Sequence, residues 1–370
     1  MKIGLIGNYG ATNVGDDAIL AALLSEFKGY RFTIFSAQPE AWVAGPKAKN
    51  VPLFPLGFRS FFRYGFKPSI KALKAVDVVI LGGGGLFQDK QLYACFLWAW
   101  QVFWVKWFKK PLFIYATGVG PLGTRVGRLL TRYAYRYARL IAVRDEASAT
   151  CLKRLGLKKE VEVVADPALL NAKSEKAELE VKKTPAYRGR LMISVRPWLH
   201  QNRKIIQSFG DFLESLKKER EAELVFVCMQ TYREDDLQLI RPLVSRVGGR
   251  IFVPGSFSEL LKEMEQAEFA IGMRYHFMIA ALIAQTPLIP VSYADKTTAL
   301  FEGTPLEKYV LHVEDFNETS LATTFKEVSI AYNNTVVYQH ALVKHLAEKA
   351  EKGILYLKEA LKTFDQKKSN

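Results

Sequence analysis

Short apolar runs alternate with longer amphipathic segments along most of the chain. In the first half, runs such as KIGLIG (2–7), VDVVILGGGG (76–85) and LIAVRD (140–145) are rich in β-branched residues and end in glycine or aspartate. Helix-length segments lie between several of them, and this alternation predicts parallel strands connected by helices. The pattern lapses into charged residues around 173–190, and restarts with RLMISVRPW (190–198), ELVFVCMQ (223–230) and PLIPVSY (287–293).

This pattern predicts an α/β protein with two Rossmann-like, doubly wound domains that face each other across a cleft. The first domain is expected over residues 1–175 and the second over 190–335, with the charged stretch between them as a linker. A final amphipathic segment, 336–370, is expected to form a helix that joins the first domain.

Composition limits the classes of protein to consider. The chain has 370 residues, of which 49% are hydrophobic, so it can bury two cores of ordinary size. Its first residues lack the charged, apolar and cleavage regions of a secretory signal, which predicts a cytoplasmic protein. Cys95, Cys151 and Cys228 have no metal-ligand spacing and are expected to be reduced core residues.

The net charge of +15 and the pI of about 9.5 favour an anionic partner. No nucleic-acid module is recognisable, so nucleic acid is not expected. Peripheral, salt-sensitive association with an anionic membrane fits this charge. The tryptophan-rich segment 95–110 is too short to span a bilayer, and two interpretations remain for it: a core helix packed on a sheet, or a helix lying in the membrane interface.

The carboxyl half places cations directly after its apolar runs. Arg196 follows LMISV, Arg274 and His276 follow FAIG, and Lys296 follows LIPVSYAD. Because open α/β sheets bind ligands beyond the carboxyl ends of their strands, these three cations predict one crevice for an anion. A single arginine at such a position is often only a surface residue, and a histidine at a helix start is often structural.

The amino half has a different chemistry. In GNYGATNVGDDAIL (7–20), Asn13 can cap a helix whose first turn contains Asp16 and Asp17. These carboxylates suit the helix dipole and oppose a second anion, so this turn is better suited to sugar hydroxyls than to phosphate.

A second glycine cluster, GGGGLFQD (82–89), follows the strand VVIL. Gly83 and Gly84 permit either a close approach of backbone to a ligand or merely a tight turn. Gln88 and Asp89 come next, and a carboxylate there can serve as a general base for a hydroxyl nucleophile.

Eight motifs together resemble one known family. GNYGATNVGDDAIL, GGGGLFQD, ATGVGPL, VRDEAS, ADPAL, SVRPW, GMRYH and VSYADK occur, in this order, as in the polysaccharide pyruvyl transferases, whose fold is similar to that of GT-B glycosyltransferases. The resemblance implies transfer of a pyruvyl group from phosphoenolpyruvate to two hydroxyls of a saccharide, with release of phosphate. The acceptor implied is a cell-wall or capsular saccharide, free or lipid-linked, at the inner face of the plasma membrane.

The resemblance also implies roles for the residues above. Donor binding is expected from Arg196, Arg274, Lys296 and Arg144, although Arg144 can equally be an ion pair with Asp145 or Glu146. His276 is expected to deliver a proton and Asp89 to accept one. The expected acceptor-binding residues are Asn13, Asp16, Asp17, Gly83, Gly84 and Gln88.

No cofactor or metal is expected, since phosphoenolpyruvate is itself the donor and no metal-binding cluster is evident. Two other functions remain open. One is a GT-B glycosyltransferase with a nucleotide-sugar donor, since residues 257–289 also resemble the donor-binding region of that fold. The other is a non-catalytic saccharide-binding protein, which would leave the cations of the carboxyl half without a role.

Overall fold

A computed structural model describes residues 1–40, 48–89, 92–175, 189–198, 201–231 and 235–369. The chain divides into two compact units: unit 1 comprises residues 1–11, 19–167 and 348–370, and unit 2 comprises 12–18 and 168–347. This division differs from the sequence-based boundaries, because residues 12–18, 168–175 and 336–347 group with unit 2. Most of the expected linker, 176–188, lies outside the described residues.

Unit 1 contains a parallel sheet of eight strands in the order β3-β2-β1-β4-β6-β7-β8, with β5 paired to β6. Its strands are β1 (Lys2–Ile6), β2 (Arg31–Ser36), β3 (Ala48–Pro52), β4 (Val78–Gly82), β5 (Gly85–Phe87), β6 (Leu112–Val119), β7 (Leu140–Val143) and β8 (Glu162–Val163). The helices along this part of the chain are α1 (Val14–Glu26), α2 (Phe58–Tyr64), α3 (Lys67–Ala75), α4 (Leu92–Trp107), α5 (Arg125–Tyr137) and α6 (Glu146–Arg154).

Unit 2 contains a parallel sheet of six strands in the order β11-β10-β9-β12-β13-β14. Its strands are β9 (Arg190–Ser194), β10 (Glu223–Val227), β11 (Arg250–Phe252), β12 (Phe269–Gly272), β13 (Leu288–Ser292) and β14 (Leu311–His312). The remaining helices are α7 (Asn202–Glu219), α8 (Leu237–Val247), α9 (Phe257–Met264), α10 (Tyr275–Ile283), α11 (Asp295–Thr298), α12 (Glu318–Ile330) and α13 (Tyr332–Ser369). Short 3₁₀ helices lie at Pro167–Glu175 and Glu307–Tyr309.

The prediction of an α/β fold with doubly wound sheets is confirmed. The central strands are apolar without alternation and buried along their length, as in Val78–Gly82 and Leu288–Ser292, because helices cover both faces of a parallel sheet. In each sheet the first strand along the chain lies near the middle. The next strands of the chain extend the sheet on one side of it, and the later strands extend it on the other side. The strand order therefore reverses between β1 and β4 in unit 1 and between β9 and β12 in unit 2, and such a switch point is where open α/β sheets bind ligands.

The register aligns the strand ends at both switch points. In unit 2, Ser194 at the end of β9 lies opposite Gly272 at the end of β12, and Met273 N donates to Ser194 O at 2.8 Å. In unit 1, Ile6 of β1 lies opposite Leu81 of β4. Residues that follow paired strands by the same number of positions are thereby brought to the same edge of the sheet.

The tryptophan-rich segment forms α4, which packs in the core of unit 1 through Trp98, Val102 and Val105. The interpretation of this segment as a packed core helix is confirmed for the side of α4 that carries these three residues. The last turn of α4 differs from the rest of the helix, because Trp107 is 66% exposed. Among the described residues, no helix combines the length and apolarity needed to cross a bilayer.

Candidate functional site

Two arginines occupy equivalent positions at the switch point of unit 2. Arg196 lies two residues after Ser194 and Arg274 two residues after Gly272, and these two strand ends are directly paired. Both arginine side chains are buried. The prediction that cations converge at the strand ends thus agrees with the register, which sequence alone cannot supply.

Arg274 is held by an acidic partner. Its guanidinium donates to both oxygens of Asp236, with Nε at 3.1 and 3.2 Å from them, and its Nη1 donates to Gln230 Oε1 at 3.0 Å. Asp236 is fully buried and also accepts from Met229 N at 3.1 Å. Burial raises the pKa of Asp236, and the charge of Arg274 opposes that shift. Much of the charge of Arg274 is therefore compensated within the protein.

Arg196 and Lys296 surround a tyrosine instead. The guanidinium carbon of Arg196 lies 4.2 Å from the centre of the Tyr293 ring, and Lys296 Nζ lies 5.4 Å from it. Trp198 packs against the same ring with centroids 4.9 Å apart. Burial alone would raise the pKa of the Tyr293 hydroxyl, but Arg196, Lys296 and Arg274, helped by a hydrogen bond with Lys296, outweigh it and lower the pKa to about 7.

The cluster as a whole carries excess positive charge. Three cations, Arg196, Arg274 and Lys296, act on Tyr293, and of these Arg274 is paired with Asp236, so positive charge is in excess around the tyrosine ring. Such a cluster can bind a small ligand with two or more negative charges.

Two local features distinguish the switch point of unit 2. A side chain at Gly272 would overlap Phe277 and press on Ser194, so only glycine fits at the end of β12. The Ser194 hydroxyl is buried and makes no hydrogen bond to the described part of the chain. A polar atom in this state at a switch point is suited to a ligand contact.

His276 lies in the first turn of α10, two residues after Arg274 at the N-cap. It is buried, its ring packs edge-on against Tyr275, and a Cβ atom on Gly15 would overlap its imidazole. Because Gly15 has no side chain, the first turn of α1 can pack directly against the imidazole of His276. Its role as a proton donor stays a prediction.

The start of α1 belongs to unit 2 rather than to the amino-terminal domain in which it was expected. Asn13 bridges to Gln230, and Val14 N donates to Met229 O at 3.4 Å. The capping prediction is confirmed, since Asn13 Oδ1 accepts from Gly15 N at 3.0 Å and Asp16 and Asp17 lie in the first turn. These expected acceptor-binding residues therefore share a unit with the cation cluster.

The glycine cluster of unit 1 lies at the other switch point. Gly83 and Gly84 have positive φ angles of 80° and 70°, and a side chain on Gly83 would crowd Ile19. The turn between β4 and β5 accounts for both glycines. Tyr9, which follows β1, donates from its hydroxyl to Gly82 O at 2.7 Å, so the two strand ends are tied together. Ligand binding here stays a prediction.

The side chain of Asp89 accepts hydrogen bonds from the loop that precedes α5. Its oxygens accept from the backbone N–H of Gly123 at 2.8 Å and from the backbone and hydroxyl of Thr124. Burial would raise the pKa of Asp89, but these hydrogen bonds and the charge of Arg128 hold it below its ordinary value. The hydrogen bonds and the charge of Arg128 therefore both make the carboxylate of Asp89 a weaker base. Gln88 is half-buried, and its carbonyl oxygen accepts from Cys95 Sγ at 3.4 Å.

Arg144 belongs to unit 1, whereas the other three expected donor-binding residues belong to unit 2. It is buried, with Nη1 3.3 Å from Asp166 and Nε 3.5 Å from Asp145. The ion pair that the sequence left open is therefore present, and Asp166 is a further partner.

Sequence reasoning missed four residues of the unit 2 cluster: Tyr293, Asp236, Gln230 and Trp198. Tyr293 and Trp198 were inside motifs already singled out, VSYADK and SVRPW, but neither type of side chain ordinarily carries charge. Across the described residues, no three His, Cys, Asp or Glu side chains converge as metal ligands.

Solved structures of low sequence identity share the fold. Anabaena HepE in complex with UDP is 12% identical with a TM-score of 0.60, covering 98% of this chain and 100% of its own. A glycosyltransferase from Rickettsia africae is 10% identical with a TM-score of 0.60, covering 99% and 98%. The UDP-GlcNAc 2-epimerase of Methanocaldococcus jannaschii, in complex with UDP-GlcNAc and UDP, is 13% identical with a TM-score of 0.59, covering 88% and 92%. The fold is of the GT-B type.

No curated protein sequence matches the chain significantly. The sequence model of the family described as polysaccharide pyruvyl transferase matches residues 13–295. That match spans well over half of the sequence and includes the start of α1 and both arginines of the cation cluster of unit 2. The chain therefore belongs to the polysaccharide pyruvyl transferase family.

Proposed function

We propose that this protein transfers the pyruvyl group of phosphoenolpyruvate to two hydroxyls of a saccharide, forming a ketal. The observation that carries the proposal is the cluster of Arg196, Arg274 and Lys296 at the switch point of unit 2, with its excess of positive charge around Tyr293. Phosphoenolpyruvate has a carboxylate and a phosphate on one small carbon skeleton, and it therefore needs more than one cation within a short distance.

The atoms of the reaction balance without a redox partner. A proton adds to the methylene carbon of the donor, which becomes the methyl group, and one sugar oxygen bonds to the central carbon. The bond from that carbon to the phosphate oxygen breaks, phosphate leaves, and the second sugar oxygen takes its place. The two hydroxyl protons match the proton gained by the methyl group and the proton carried off with phosphate.

His276 is the group we assign to proton delivery. It follows Arg274 by two residues, and its ring is fixed by Tyr275 and by the backbone of Gly15. An imidazole held in one orientation is suited to general acid catalysis. Asp89 remains the candidate base of the sequence analysis, although its hydrogen bonds with Gly123 and Thr124 oppose that role.

Tyr293 balances charge in the absence of donor. A phenolate between Arg196 and Lys296 reduces the excess positive charge of the empty site. An arriving anion competes for the same cations and raises the pKa of Tyr293, so the hydroxyl regains its proton and can donate a hydrogen bond. Donor binding above pH 7 is therefore accompanied by proton uptake.

The acceptor is a sugar of a cell-surface polysaccharide or of its lipid-linked precursor, at the inner face of the plasma membrane. Asn13, Asp16 and Asp17 at the start of α1 supply groups that suit hydroxyls rather than phosphate. Gly83, Gly84 and Gln88 provide the corresponding candidates at the switch point of unit 1.

A nucleotide-sugar glycosyltransferase is the competing function, favoured by the UDP and UDP-GlcNAc bound to two of the solved structures of the same fold. Those proteins are 12 and 13% identical to this chain, which supports the fold and not the ligand. Calorimetric titration with phosphoenolpyruvate, inorganic phosphate and UDP separates the two functions. Phosphoenolpyruvate should bind in preference to UDP.

The matched variants are Arg196→Gln in the cluster and Arg241→Gln on the exposed surface of α8. Arg196→Gln should weaken phosphoenolpyruvate binding about ten- to a hundredfold, the usual effect of losing a charge-assisted hydrogen bond. Arg241→Gln should leave the affinity unchanged. Tight UDP binding together with an equal effect of the two substitutions would contradict the proposed donor site.

A further inference from the structure

A short helix of unit 1 exposes three phenylalanines. Phe58 and Phe62 of α2 are 83% and 81% exposed, and Phe61 is exposed as well. The three side chains lie on one side of the helix, since positions separated by three and four residues are neighbours. None of the residues of α2 is buried, so this helix contributes little to the core of unit 1.

The exposed phenylalanines are continuous with the end of α4. Phe61 contacts Phe66 with centroids 5.6 Å apart, and Phe66 contacts Trp104 at 5.3 Å. Through Trp104 and Phe103 the aromatic contacts reach Trp107, whose ring lies 5.8 Å from that of Phe103. We use the name aromatic face for Phe58, Phe61, Phe62 and Trp107 together.

Basic residues are concentrated in the segments that carry this face. The segments 58–75 and 92–110, which contain α2, α3 and α4, have no Asp or Glu and eight basic residues. These are Arg59, Arg63, Lys67, Lys71, Lys74, Lys106, Lys109 and Lys110. Glu40 pairs with Arg63 at 3.6 Å, and both of these side chains are exposed.

We propose that the aromatic face docks on the surface of an anionic lipid bilayer. Exposed phenylalanine and tryptophan next to lysine and arginine, on a helix parallel to the surface, is the arrangement by which proteins enter the interface between headgroups and acyl chains. The concentration of basic residues without carboxylates complements anionic headgroups in particular. A contiguous exposed apolar face is unfavourable in water and marks an interaction surface.

This inference revises the origin of membrane attachment expected from the sequence. The overall charge predicted weak, salt-sensitive binding without insertion. The aromatic face adds an apolar contribution that salt does not screen, because the phenylalanine side chains leave water. The docking does not depend on pyruvyl transfer and can be measured without donor or acceptor.

The test is co-sedimentation with vesicles of phosphatidylcholine alone and of phosphatidylcholine mixed with phosphatidylglycerol, at low and high salt. The protein should bind the mixed vesicles and keep part of that binding at high salt. Phe58→Ser with Phe62→Ser should lower the partition coefficient at least about tenfold, the effect expected for removing two phenylalanines from an apolar phase. Arg59→Gln with Arg63→Gln should weaken binding mainly at low salt.

Matched controls come from unit 2. Ile330, at the end of α12, is 80% exposed, so Ile330→Ser removes an equally exposed apolar side chain elsewhere. Arg241→Gln with Lys262→Gln removes two exposed cations elsewhere. Both controls should bind the mixed vesicles as the unmodified protein does. Unchanged melting temperatures of all four variants establish that they fold.

Fluorescence locates the inserted residues. Because Trp107 belongs to the same face, the signal of the added tryptophan is taken as the difference from the unmodified protein. The fluorescence added by Phe62→Trp should be quenched by brominated lipid in mixed vesicles, and that added by Ile330→Trp should not. Full vesicle binding by the double phenylalanine variant, or equal loss in the Ile330→Ser control, would overturn the proposal. A change from dimer to monomer in the phenylalanine variant, with vesicle binding intact, would instead assign the face to a second copy of the chain and also overturn it.

Discussion

Replacing Tyr293 by phenylalanine removes one hydroxyl from the cation cluster and keeps the ring that Arg196 and Trp198 contact. If the hydroxyl is ionised near neutral pH, the stability difference between the protein and the Tyr293→Phe variant must depend on pH. The direction follows from the depressed pKa. An acidic group whose pKa is lower in the folded than in the unfolded state stabilises the fold at high pH, and this stabilisation is lost as the pH falls through the folded pKa.

The pKa of Tyr293 is about 7 in the folded protein. A tyrosine in an unfolded chain has a pKa of about 10, and each unit of difference corresponds to about 1.4 kcal/mol. The free energy of unfolding therefore gains about 2 kcal/mol from this group by about pH 8.5 and about 4 kcal/mol by about pH 10. At about pH 6 the gain is close to zero, and only packing and hydrogen bonding distinguish the variant.

The assay is denaturant unfolding at about pH 6, 7, 8 and 8.5, a range that spans the folded pKa and stays below that of a free tyrosine. The near-ultraviolet absorbance of phenolate, recorded as a difference between the two proteins, reports the ionisation directly. Tyr332→Phe is the matched control, because burial raises the pKa of Tyr332 to about 12 and no phenolate forms there in this range. Parallel stability curves for the protein and Tyr293→Phe, with no phenolate signal below the ordinary tyrosine range, would refute the reasoning.

Three further predictions concern the same unit. Arg274→Gln should lower the free energy of unfolding by about 3–5 kcal/mol, because it leaves Asp236 buried without its cation, and the double variant with Asp236→Asn should recover most of that loss in the same unfolding assay. Gly15→Ala should lower kcat by displacing the imidazole of His276, with a smaller effect on the affinity for phosphoenolpyruvate; phosphate-release kinetics and calorimetry measure the two effects, and an unchanged kcat would contradict the packing argument. His276→Gln should lower kcat about a hundredfold or more with donor affinity retained, whereas a rise in KM alone would mean that the histidine only positions the donor.

The sequence contains most of what is needed to predict the fold. Apolar runs that end in glycine or aspartate correspond to strands of two parallel sheets, because strands buried on both faces need continuous apolar sequence. The segment 12–18 is the informative exception. Its capping pattern predicts the start of α1 correctly, but no local pattern records that Asn13 bridges to Gln230 and that Gly15 makes room for His276.

Only part of the candidate site was predicted, again because some of its contacts are recorded in no local sequence pattern. Arg196, Arg274 and Lys296 each follow a recognisable strand, so the cations could be found one at a time. The partner of Arg274 could not, because Asp236 lies 38 residues earlier in the chain, within the acidic stretch after β10, and only the tertiary fold brings the two together. Tyr293 was overlooked because its chemistry depends on neighbouring charges rather than on residue type.

Unit 1 is assembled from the two ends of the described chain. In its carboxyl-terminal portion, Gly353 fits against Val164 and the Tyr115 hydroxyl, the ring of Phe364 meets Phe113 at 6.4 Å, and Lys358 pairs with Glu26 at 2.8 Å. During synthesis the ribosome therefore releases all of unit 2 before the last piece of unit 1. Because domains generally fold as units, unit 2 can complete its core on the nascent chain, whereas unit 1 can complete its core only after residues 348–369 have emerged.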